Sequence, residues 1–514
     1  MITAVELIIG MEIHVELATR SKMFSRAPNP AHEHAENAPP NSLLDPTVLA
    51  LPGALPVMNR EAIDMAILVG LALGCSVVGR TTWARKSYTY PDLPKGYQIS
   101  QHVHPLCRDG RLDLFPDDNR GEPDFSLPTA TIRIERAHLE EDAGKLLHEA
   151  PGGHPIDHSI VDLNRAGTPL LEIVTHPDLR SACQAVALAR NLRDLCRWLG
   201  VTRGVLERGQ MRFEPNINTR LTLADASVVE TPIVEIKNLN SFRALHDAIE
   251  HEHAEQPRRF LADRLTKSPG SKTTRGWDPA GHTFLQRSKE EAHDYRYFPD
   301  PDLPPVVVTP AWADRLARAL PELPLARHLR YVERYALSPR DAGALTSERA
   351  TSDFFEACVR EVAGAGIETS AGARACARLL LQAGARRANE RGVPIESLGI
   401  TPEQVARIAA LAEAGLIAAG SGADELFGLL CEDPTASAEE VARGRGLLLV
   451  RDEASLQAWC DQAIADHPQA AADVRAGKTA AIGRLVGAAM KLSGGRAEAA
   501  RTREILLGKL LPSR

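Results

Sequence analysis

The segment from Gly10 to Glu16 alternates strictly between polar and apolar residues. With a repeat of two, Glu12, His14 and Glu16 fall on one face of a strand, and apolar side chains fall on the other. The apolar face must be buried against a core, whereas the polar face can line a surface or a site. The segment therefore predicts a half-buried strand whose polar face carries two carboxylates and one histidine.

Three further segments alternate in the same way, at residues 131–135, 211–220 and 233–237. Two segments between the strands, 179–199 and 242–260, have the periodicity of helices. Strands that face a core on one side and are polar on the other are typical of antiparallel sheets. Because the helices do not alternate regularly with the strands, the pattern predicts an α+β fold.

A proline-dense segment at residues 299–305 ends this strand-rich part, because the interior of a helix or strand does not tolerate so many prolines. Beyond it the chain is rich in Ala, Leu, Arg and Glu with helical periodicity, and a softer boundary lies at the Asp433-Pro434 turn. We therefore expect a strand-rich domain at 1–303, an all-α helical domain at 304–433 and a tail domain at 434–514.

The composition is that of a globular protein, with 44% hydrophobic and 25% charged residues among 514. The eight cysteines include no Cys-x-x-Cys pair, which favours a reducing compartment and argues against a thiolate zinc site. No basic signal-peptide region opens the sequence. The apolar run at residues 65–79 is too short to span a bilayer. We expect a cytoplasmic protein without a membrane segment.

The charge is distributed unevenly. From Arg475 onward there are nine basic and two acidic residues, a net charge of +7 in a chain whose total is −7. A basic C-terminal module on an acidic body predicts an electrostatic contact with a polyanion such as RNA. The alternative is a solvated tail that is basic only by chance.

Standard nucleotide-binding loops are absent from the sequence. It contains neither a P-loop nor a G-x-G-x-x-G motif after a strand, and no G-x-S-x-G or H-E-x-x-H motif. If the protein binds ATP, it must do so on a sheet, through a metal ion and basic side chains. That is a constraint on the kind of site to look for.

Several acidic residues are candidate cation ligands. Glu12 and His14 share the strand face described above, although that face could also be a solvated surface with a chance histidine. Three carboxylates and a lysine follow one another in the block LEEDAGK at residues 139–145. Glu172 stands in an apolar strand, where a carboxylate is costly unless it is paired or metal-bound. The alternative partners of Glu172 are three arginines, Arg133, Arg136 and Arg165.

Residues 85–101 mix cations and aromatic residues in a loop rich in Pro and Gly. Lys86 and Lys95 can bind phosphates. The aromatic residues of this loop, which are Tyr88, Tyr90 and Tyr97, can stack on bases. A packed loop without a ligand is the alternative.

The N-terminal half contains in this order the blocks GMEIHVEL, SKMFS, LPGALPV, RKSYTYPDLPKGYQISQ, HLEEDAGK, DLNRAGTPLLEIV and EIKNLNSF. The block RSKEEAHDYRYFPDPDLPPV follows them, and DFFEAC and VRAGKTAAIGRLVGAAMK lie in the C-terminal half. Together these blocks resemble the B-subunit family of the aspartyl/glutamyl-tRNA amidotransferases, the GatB/GatE family. The resemblance extends over essentially the whole chain.

This resemblance implies a ligase that makes Gln-tRNA or Asn-tRNA from mischarged Glu-tRNA(Gln) or Asp-tRNA(Asn). The protein would bind the tRNA and phosphorylate the side-chain carboxylate of its aminoacyl group with Mg²⁺ and ATP. Ammonia would come from an amidase (A) subunit in a heterotrimer with a small C subunit. The resemblance also implies a catalytic domain of glutamine-synthetase-like fold, followed by an all-α helical domain and a YqeY-like tail that binds tRNA.

Carried over by motif, the resemblance implies a set of catalytic metal ligands, which are Glu12, His14, Glu141 and Glu172. For the nucleotide we expect contacts from a second set, which comprises Arg85, Lys86, Lys95, Arg212, Glu214 and Lys237. Two rival hypotheses are a non-catalytic tRNA-binding adaptor and a stand-alone ligase acting on a small acid. Dependence of phosphoryl transfer on tRNA would separate all three.

The sequence departs from the family pattern at two places. Many members carry a Cys-x-x-Cys where this chain has residues 45–48, DPTV, so no structural zinc is expected. The usual MRCDxN block reads MRFEPN at residues 211–216. The acidic residue is retained as Glu214, whose side chain is one methylene longer than that of Asp.

Overall fold

The computed structural model describes residues 1–118, 122–150, 154–278, 280–288, 295–364, 368–476 and 478–511. The chain divides into two compact units, Met1–Leu325 and Ala326–Arg514. The strands are β1 (Ile2–Glu16), β2 (Ser76–Val77), β3 (Arg80–Thr81), β4 (Ala84–Ser87), β5 (Tyr97–Ser100), β6 (Cys107–Leu114), β7 (Ala130–Glu141), β8 (Lys145–Ala150), β9 (His154–Asp162), β10 (Pro169–Thr175), β11 (Met211–Leu223), β12 (Val228–Glu230), β13 (Val234–Lys237), β14 (Thr273–Asp278), β15 (His282–Ser288), β16 (Phe298–Pro299) and β17 (Val306–Val307).

The α-helices of the first unit are α1 (Arg60–Ala72), α2 (Ala182–Trp198), α3 (Phe242–Asp263) and α4 (Pro310–Ala319). Those of the second unit, in which α5 begins two residues before the division, are α5 (Pro324–Tyr335), α6 (Pro339–Leu345), α7 (Arg349–Gly364), α8 (Thr369–Leu379), α9 (Ala385–Arg391), α10 (Pro402–Glu413), α11 (Ser421–Leu430), α12 (Ala438–Gly444), α13 (Glu453–Asp466), α14 (Pro468–Arg475), α15 (Ile482–Leu492) and α16 (Ala499–Leu510). The described helices include none that is both long and apolar enough to cross a membrane.

One large sheet organises the first unit, with the strand order β15-β14-β13-β11-β1-β10-β7-β5-β4-β16. Neighbours along this path are antiparallel except β13 and β14, which are parallel. The long strand β1 lies in the middle of the sheet and pairs with β11 along nearly its whole length. The predicted α+β class and the predominantly antiparallel sheet are confirmed.

The sheet is amphipathic because its central strands alternate. On β1 the side chains of Ile9, Ile13 and Val15 are fully buried, and they join a core cluster with Leu171 of β10 and Ile217 of β11. Helices α1, α2 and α3 contribute their apolar residues to this same cluster. One face of the sheet is therefore the core of the unit, which leaves the other face to its polar residues.

The helices begin where side chains can cap their free backbone N–H groups. Ser181 accepts a hydrogen bond from the backbone N–H of Gln184 at the start of α2, and Ser241 accepts one from Ala244 at the start of α3. The predicted helices at 179–199 and 242–260 are thus confirmed, with the first starting three residues later than its apolar pattern. The predicted strands at 131–135, 211–220 and 233–237 are confirmed as parts of β7, β11 and β13.

The second unit is helical and has two separate apolar clusters. One cluster contains Tyr331, Phe355 and Phe427, and Ala442 is the last residue of the sequence among its buried members. The other contains Leu485 and residues of α13, α14 and α16. On α15, Ile482, Leu485 and Ala489 are buried, and Val486 and Met490 on the same apolar stripe are partly buried.

The boundaries 303 and 433 stay predictions. The division between the two compact units falls at residue 325, because Leu303, Val306 and Leu316 join the core cluster of the sheet. Within the second unit, residues 438 and 442 belong to the first of the two apolar clusters.

The alternation of β1 yields a prediction about stability. Val15→Ala removes two carbons from a fully buried side chain, whereas Val5→Ala makes the same change on the same strand where the side chain is 39% exposed. We expect Val15→Ala to lower the free energy of unfolding by about 2 kcal/mol and Val5→Ala to lower it far less. Urea unfolding followed by circular dichroism measures both; equal losses would contradict the assignment of the core face.

Candidate functional site

Polar side chains of neighbouring strands meet on the face of the sheet opposite the apolar core. The register places Glu172 of β10 and Arg212 of β11 on either side of His14 in β1. Two residues earlier on β1, Glu12 lies opposite Glu214 of β11. Directly opposed side chains in a sheet are about 5 Å apart, so the stripe read from one strand becomes a two-dimensional patch of charge.

The patch continues on both sides of these three strands. On β7, His138 lies opposite Glu172, and Glu140 is the next residue on the same face. On β13, Glu235 lies opposite Asn216 of β11. His138 and Glu235 are almost completely buried, whereas the side chain of Glu12 is 24% exposed, so the patch is a largely buried polar site that solvent reaches at Glu12.

His14 is the centre of the site. Its Nε2 atom lies 3.6 Å from a carboxylate oxygen of Glu12, 3.6 Å from one of Glu172 and 3.8 Å from one of Glu140. His14 is also 9% exposed, so its charge is shielded little by solvent. One imidazole therefore faces three carboxylates.

The electrostatics of His14 follow from these contacts. Burial disfavours its charged form, but the close contact with Glu172 and the charges of Glu214, Glu172 and Glu12 outweigh burial and raise the pKa of His14 to about 9. Burial also disfavours the ionised form of Glu172, yet the charges of His14 and Arg136 hold the pKa of this carboxyl well below its usual range. His14 and Glu172 thus form an ion pair at neutral pH.

The negative charges of Glu140 and Glu12 are less well balanced by nearby positive charges than that of Glu172. Burial and the charge of Glu172 raise the pKa of Glu140 to about 7, and the same two causes raise the pKa of Glu12. Burial lowers the pKa of His138 to about 4, which keeps its imidazole neutral. An excess of buried negative charge with two imidazoles favours a bound cation.

Among the described residues, three sets of side chains have ligand atoms within 4.8 Å of one another, a spacing that suits one metal ion. They are Glu12–His14–Glu172, His138–Glu140–Glu172 and Glu12–Glu214–Glu235. The third set already has a positively charged neighbour, because Nζ of Lys237 lies 2.7 Å from a carboxylate oxygen of Glu214 and 3.5 Å from one of Glu235. The first two sets are therefore the better candidates for a divalent ion.

The structure brings together three of the four side chains predicted as metal ligands, Glu12, His14 and Glu172. The fourth, Glu141, lies on the opposite face, where it accepts hydrogen bonds from Lys95 and from the backbone N–H of Ile99. Consecutive residues of a strand point to opposite faces, so Glu140 and not Glu141 joins the cluster. The four predicted ligands therefore do not lie around a single position, because Glu141 is separated from the other three.

His138 was not among the predicted site residues, and Glu140 was a candidate only as one of the three carboxylates of the LEEDAGK block. A signal was present, because Arg136, His138 and Glu140 alternate with the apolar Ala137 and Leu139. This is the same pattern that identified the polar face of β1. The expected alternation at 131–135 stopped just before it.

The predicted cations divide between the two faces of the sheet. Lys86 lies 4.9 Å from the ring centre of Tyr295, and its charge lowers the pKa of Glu140 against burial, so it belongs to the polar face. Arg85, the preceding residue, points the other way. Its Nε and Nη2 atoms each lie 2.8 Å from an aspartate oxygen, of Asp300 and of Asp302.

Lys95 accompanies Glu141 on the core side of the sheet, where both line a small pocket with the buried Lys22. Of the predicted stacking residues, Tyr97 lies on that side as well, with its ring centre 4.2 Å from the guanidinium of Arg85. Tyr88 instead contacts Tyr295 edge to face. Part of the block that runs from Arg287 to Pro299, residues 289–294, lies outside the described residues.

Three further predicted residues, Arg212, Glu214 and Lys237, lie on the polar face and have partners there. Arg212 donates to Asp142 over 2.5 Å, and Glu16 lies beside this pair. Burial and the charge of Asp142 raise the pKa of Glu16 to about 8. Lys237 donates to Glu214 over 2.7 Å, so the glutamate of the unusual MRFEPN block reaches a partner on the neighbouring strand.

Comparison with known proteins identifies the chain's relatives. A family model described as the GatB/GatE catalytic domain matches residues 7–314, and one described as the GatB domain matches residues 353–510. Three similar proteins are each named as the B subunit of the aspartyl/glutamyl-tRNA(Asn/Gln) amidotransferase. The first, from Thermomicrobium roseum, is 43% identical over 503 residues and covers 98% of both chains.

The second, from Janthinobacterium sp., is 42% identical over 511 residues, with 98% of this chain and 99% of the relative aligned. The third, from Cupriavidus pinatubonensis, is 40% identical over 507 residues with the same coverage. Both the sheet unit and the helical unit thus have counterparts in these relatives.

The ion pair of His14 generates a pH prediction for the protein kept free of metal with EDTA. Because folding raises the pKa of His14 from 6.5 to about 9, its stabilisation is complete below pH 6.5 and is lost as the pH rises through 9. Between pH 6.5 and 9 we therefore expect the free energy of unfolding of the wild-type protein to fall by up to about 3 kcal/mol more than that of His14→Gln. His246→Gln, at a partly exposed position of α3 remote from this patch, should keep the wild-type slope. Equal slopes in all three proteins would contradict the ion pair.

Proposed function

The chain belongs to the family of the GatB/GatE catalytic domain, and from this we propose that it is the B subunit of a tRNA-dependent amidotransferase. It is then a carbon–nitrogen ligase of protein biosynthesis that uses glutamine as amide donor. Its substrates are Glu-tRNA(Gln), Asp-tRNA(Asn) or both. The observation that carries the proposal is the convergence of Glu12, His14 and Glu172 on one largely buried sheet face in a chain that matches the family throughout.

The reaction has two steps. A side-chain carboxylate oxygen of the aminoacyl group attacks the γ-phosphorus of ATP, which forms an acyl phosphate and releases ADP. Ammonia then attacks the carbonyl carbon, the C–O bond to phosphate breaks, and inorganic phosphate leaves with the amide as product. Both reactants of the first step are anions, so the site must neutralise charge before they can meet.

Glu12, His14 and Glu172 have the chemistry to hold Mg²⁺, since carboxylate oxygens are its preferred protein ligands and a neutral imidazole can complete the set. Mg²⁺ when bound screens the charge on the phosphates and orients them for in-line transfer. For His14 to act as a ligand it must give up the proton that Glu172 and Glu12 stabilise. The carboxylates then compensate the cation instead of the imidazolium.

Three cations of the polar face, Lys86, Arg212 and Lys237, are placed to contact phosphates and the substrate carboxylate. Two of them are paired with carboxylates at present, Arg212 with Asp142 and Lys237 with Glu214. An incoming anion would therefore replace Asp142 as the partner of Arg212, or Glu214 as the partner of Lys237. We propose these three as the nucleotide contacts that the geometry supports best.

Arg85 and Lys95 were also predicted as nucleotide contacts, but their positions support a structural role as partners of carboxylates. Arg85 holds the segment at Asp300 and Asp302, and Lys95 pairs with Glu141 on the core side of the sheet. A direct role for either in nucleotide binding stays a prediction that these contacts do not favour. The same applies to Glu141 as a metal ligand.

A glutamine-synthetase-like fold is proposed for the catalytic domain. It is supported by an antiparallel sheet whose polar face carries the acidic site, together with the absence of a P-loop from the sequence. For the domain bounds we keep the prediction from the sequence, which is a catalytic domain at 1–303, a helical domain at 304–433 and a YqeY-like tail at 434–514. The match of a GatB domain to residues 353–510 supports the assignment of the last two.

The proposed partners follow from what the sequence lacks. It contains no motif for a glutaminase, and the acyl phosphate needs ammonia in a place from which water is excluded. We therefore propose a heterotrimer in the cytoplasm with an amidase-like A subunit and a small C subunit. ATP and Mg²⁺ are the proposed cofactors, and no structural zinc is proposed.

Removing one ligand of the cation tests the reaction. We expect Glu172→Gln in the reconstituted complex to lower ATP-dependent phosphorylation of Glu-tRNA by about 100-fold or more, since a neutral amide is a poor ligand for a hard cation. Glutamine hydrolysis by the amidase should remain measurable. Transfer of the radiolabelled γ-phosphate of ATP is the measurement.

The matched control is Glu230→Gln on β12, which removes a carboxylate that pairs with Arg220 and Lys267 away from the cluster. It should leave phosphoryl transfer close to the wild-type rate. Normal transfer by Glu172→Gln would refute the site, and no transfer by the wild-type complex with any mischarged tRNA would refute the function.

The basic tail yields a prediction about tRNA binding. Arg484, Lys491 and Arg503 are exposed. If they bind phosphates, replacing all three by glutamine weakens binding of tRNA and lowers the slope of log K against log salt concentration by about one for each phosphate no longer neutralised. Filter binding of labelled tRNA at several salt concentrations measures both quantities.

The control variant replaces three exposed arginines of the first unit by glutamine, which are Arg111, Arg258 and Arg264. The two variants change the net charge equally, so a general charge effect alters both. A specific interaction of the tail alters only the first. Unchanged affinity and slope in the tail variant would contradict tRNA binding by this surface.

A further inference from the structure

We propose that Arg85 is a positioning residue of the reaction. It holds the segment 295–302, which we call the strap, over one side of the polar face, where the strap keeps water away from the acyl phosphate. The inference rests on the proposed function, which supplies that intermediate. Arg85 acts through the strap, because its own side chain points to the face of the sheet opposite the reacting groups.

The strap is joined to the sheet by a very short strand. Within it, β16 pairs with β4 over only two residues of each strand. Just beyond this pairing, the backbone N–H of Asp300 donates to the carbonyl oxygen of Trp83 over 2.9 Å. So short a ladder supplies few hydrogen bonds and is marginal by itself. Side-chain contacts must therefore contribute to the position of the strap.

Arg85 binds two aspartates of the strap at once. Its Nε atom donates to Asp300 and its Nη2 atom donates to Asp302, each over 2.8 Å. The side chain of Asp300 is fully buried, so its carboxylate depends on a positively charged partner. The planar guanidinium of arginine can serve two carboxylates in this way, whereas the compact ammonium of lysine cannot reproduce the geometry.

The aromatic rings of the strap show that it connects the two faces of the sheet. Phe298 lies on the side of Arg85, because its ring centre is 5.8 Å from the guanidinium. The preceding residue, Tyr297, points the other way. Its ring stacks on that of His102, with ring centres 5.3 Å apart and planes 19° apart. The contact of Arg85 on one face thus fixes an aromatic cover on the other.

The aromatic cover lies beside the acidic site. The ring of His102, on which Tyr297 stacks, meets the ring of His138 edge to face at a centre distance of 5.9 Å. Burial and the charges of Glu140 and Glu172 raise the pKa of Tyr297, so its hydroxyl lies within reach of both charges. Tyr297 is therefore placed to limit access of solvent to this side of the site.

The backbone of the strap turns at Arg296. Its φ of 45° lies in the left-handed region, which residues other than glycine rarely adopt. Tyr295, on the far side of this turn, also reaches the polar face, where its ring centre lies 4.9 Å from Nζ of Lys86. Backbone strain of this kind persists only where surrounding contacts impose it, which agrees with a strap that is held from both faces.

Exclusion of water matters here because an acyl phosphate reacts with water as well as with ammonia. When water attacks the carbonyl carbon, the C–O bond to phosphate breaks, and inorganic phosphate, a proton and the original Glu-tRNA are released. ATP is then consumed without formation of an amide. A loosened strap should therefore uncouple ATP consumption from amide formation.

The experiment measures the ratio of Glu-tRNA-dependent ADP to amide formed by the reconstituted complex, with a fixed concentration of ammonium chloride in place of glutamine. We expect Arg85→Gln to raise this ratio about fivefold or more, and Arg85→Lys to raise it less, since lysine keeps the charge but not the double contact. Asp302→Asn should raise it as well. The control is Arg220→Gln, which removes an arginine paired with Glu6 and Glu230 and should keep the wild-type ratio.

The ratio separates positioning from folding, because a partly unfolded variant loses ADP and amide formation together. Hydrogen exchange of the free chain, followed by mass spectrometry, measures the strap directly. In Arg85→Gln, peptides that contain residues 295–302 should exchange faster, and peptides of β1 and β11 should not change. An unchanged ratio or an unchanged exchange rate of the strap would overturn the inference. If Arg85→Gln does not fold, Asp302→Asn decides by the same two criteria, since that carboxylate is partly exposed.

Failure of the proposed function would give a different result. A wild-type complex that forms no ADP with any mischarged tRNA would refute the function, and the inference with it. An active wild-type complex whose ratio is left unchanged by Arg85→Gln would refute the inference alone.

Discussion

The charge balance around His14 is the constraint on which the polar face of the sheet depends. A single imidazole faces three carboxylates within 3.8 Å, in a position that water hardly reaches. Without a positive partner, buried carboxylates so close together would not remain ionised. In the protein without a metal the proton on His14 supplies that charge, and a divalent cation can supply it instead. The site is therefore arranged to exchange a proton for a metal ion, and the neighbouring carboxylates are what make either occupant stable.

This arrangement is possible because strand β1 serves two purposes at once. Its apolar side chains form the middle of the core under α1, α2 and α3, so the backbone that carries Glu12 and His14 is held rigidly. Neighbouring strands fix the same register on the polar face, which sets the spacing of ligands from different parts of the chain. A rigid scaffold suits phosphoryl transfer, where catalysis depends on positioning and on charge stabilisation. The core and the site are thus two sides of one sheet.

The sequence predicted much of this fold because alternation and helical periodicity are local properties. The strands β7, β11 and β13 and the helices α2 and α3 were found from such patterns, and Glu12, His14 and Glu172 were found as candidate ligands. The placement of Glu141 could not be found from the family motif, because a motif names neighbours and does not say which face each occupies. The positions of Arg85 and Lys95 were missed for a similar reason: their partners Asp300 and Glu141 are far away in the chain.

By itself the sequence determined which residue types share a strand face, since the pleat of an extended chain allows only two directions for a side chain. It also indicated that helices follow the proline-dense segment at residues 299–305, since prolines cannot continue either element, but it did not determine where the compact units divide. Only the tertiary structure decided which faces meet. Pairing of β1 with β10 and β11, and of β10 with β7, brings Glu172 and His138 to His14 across more than a hundred residues of chain. Strand order depends on packing the whole core, and no local pattern contains that information.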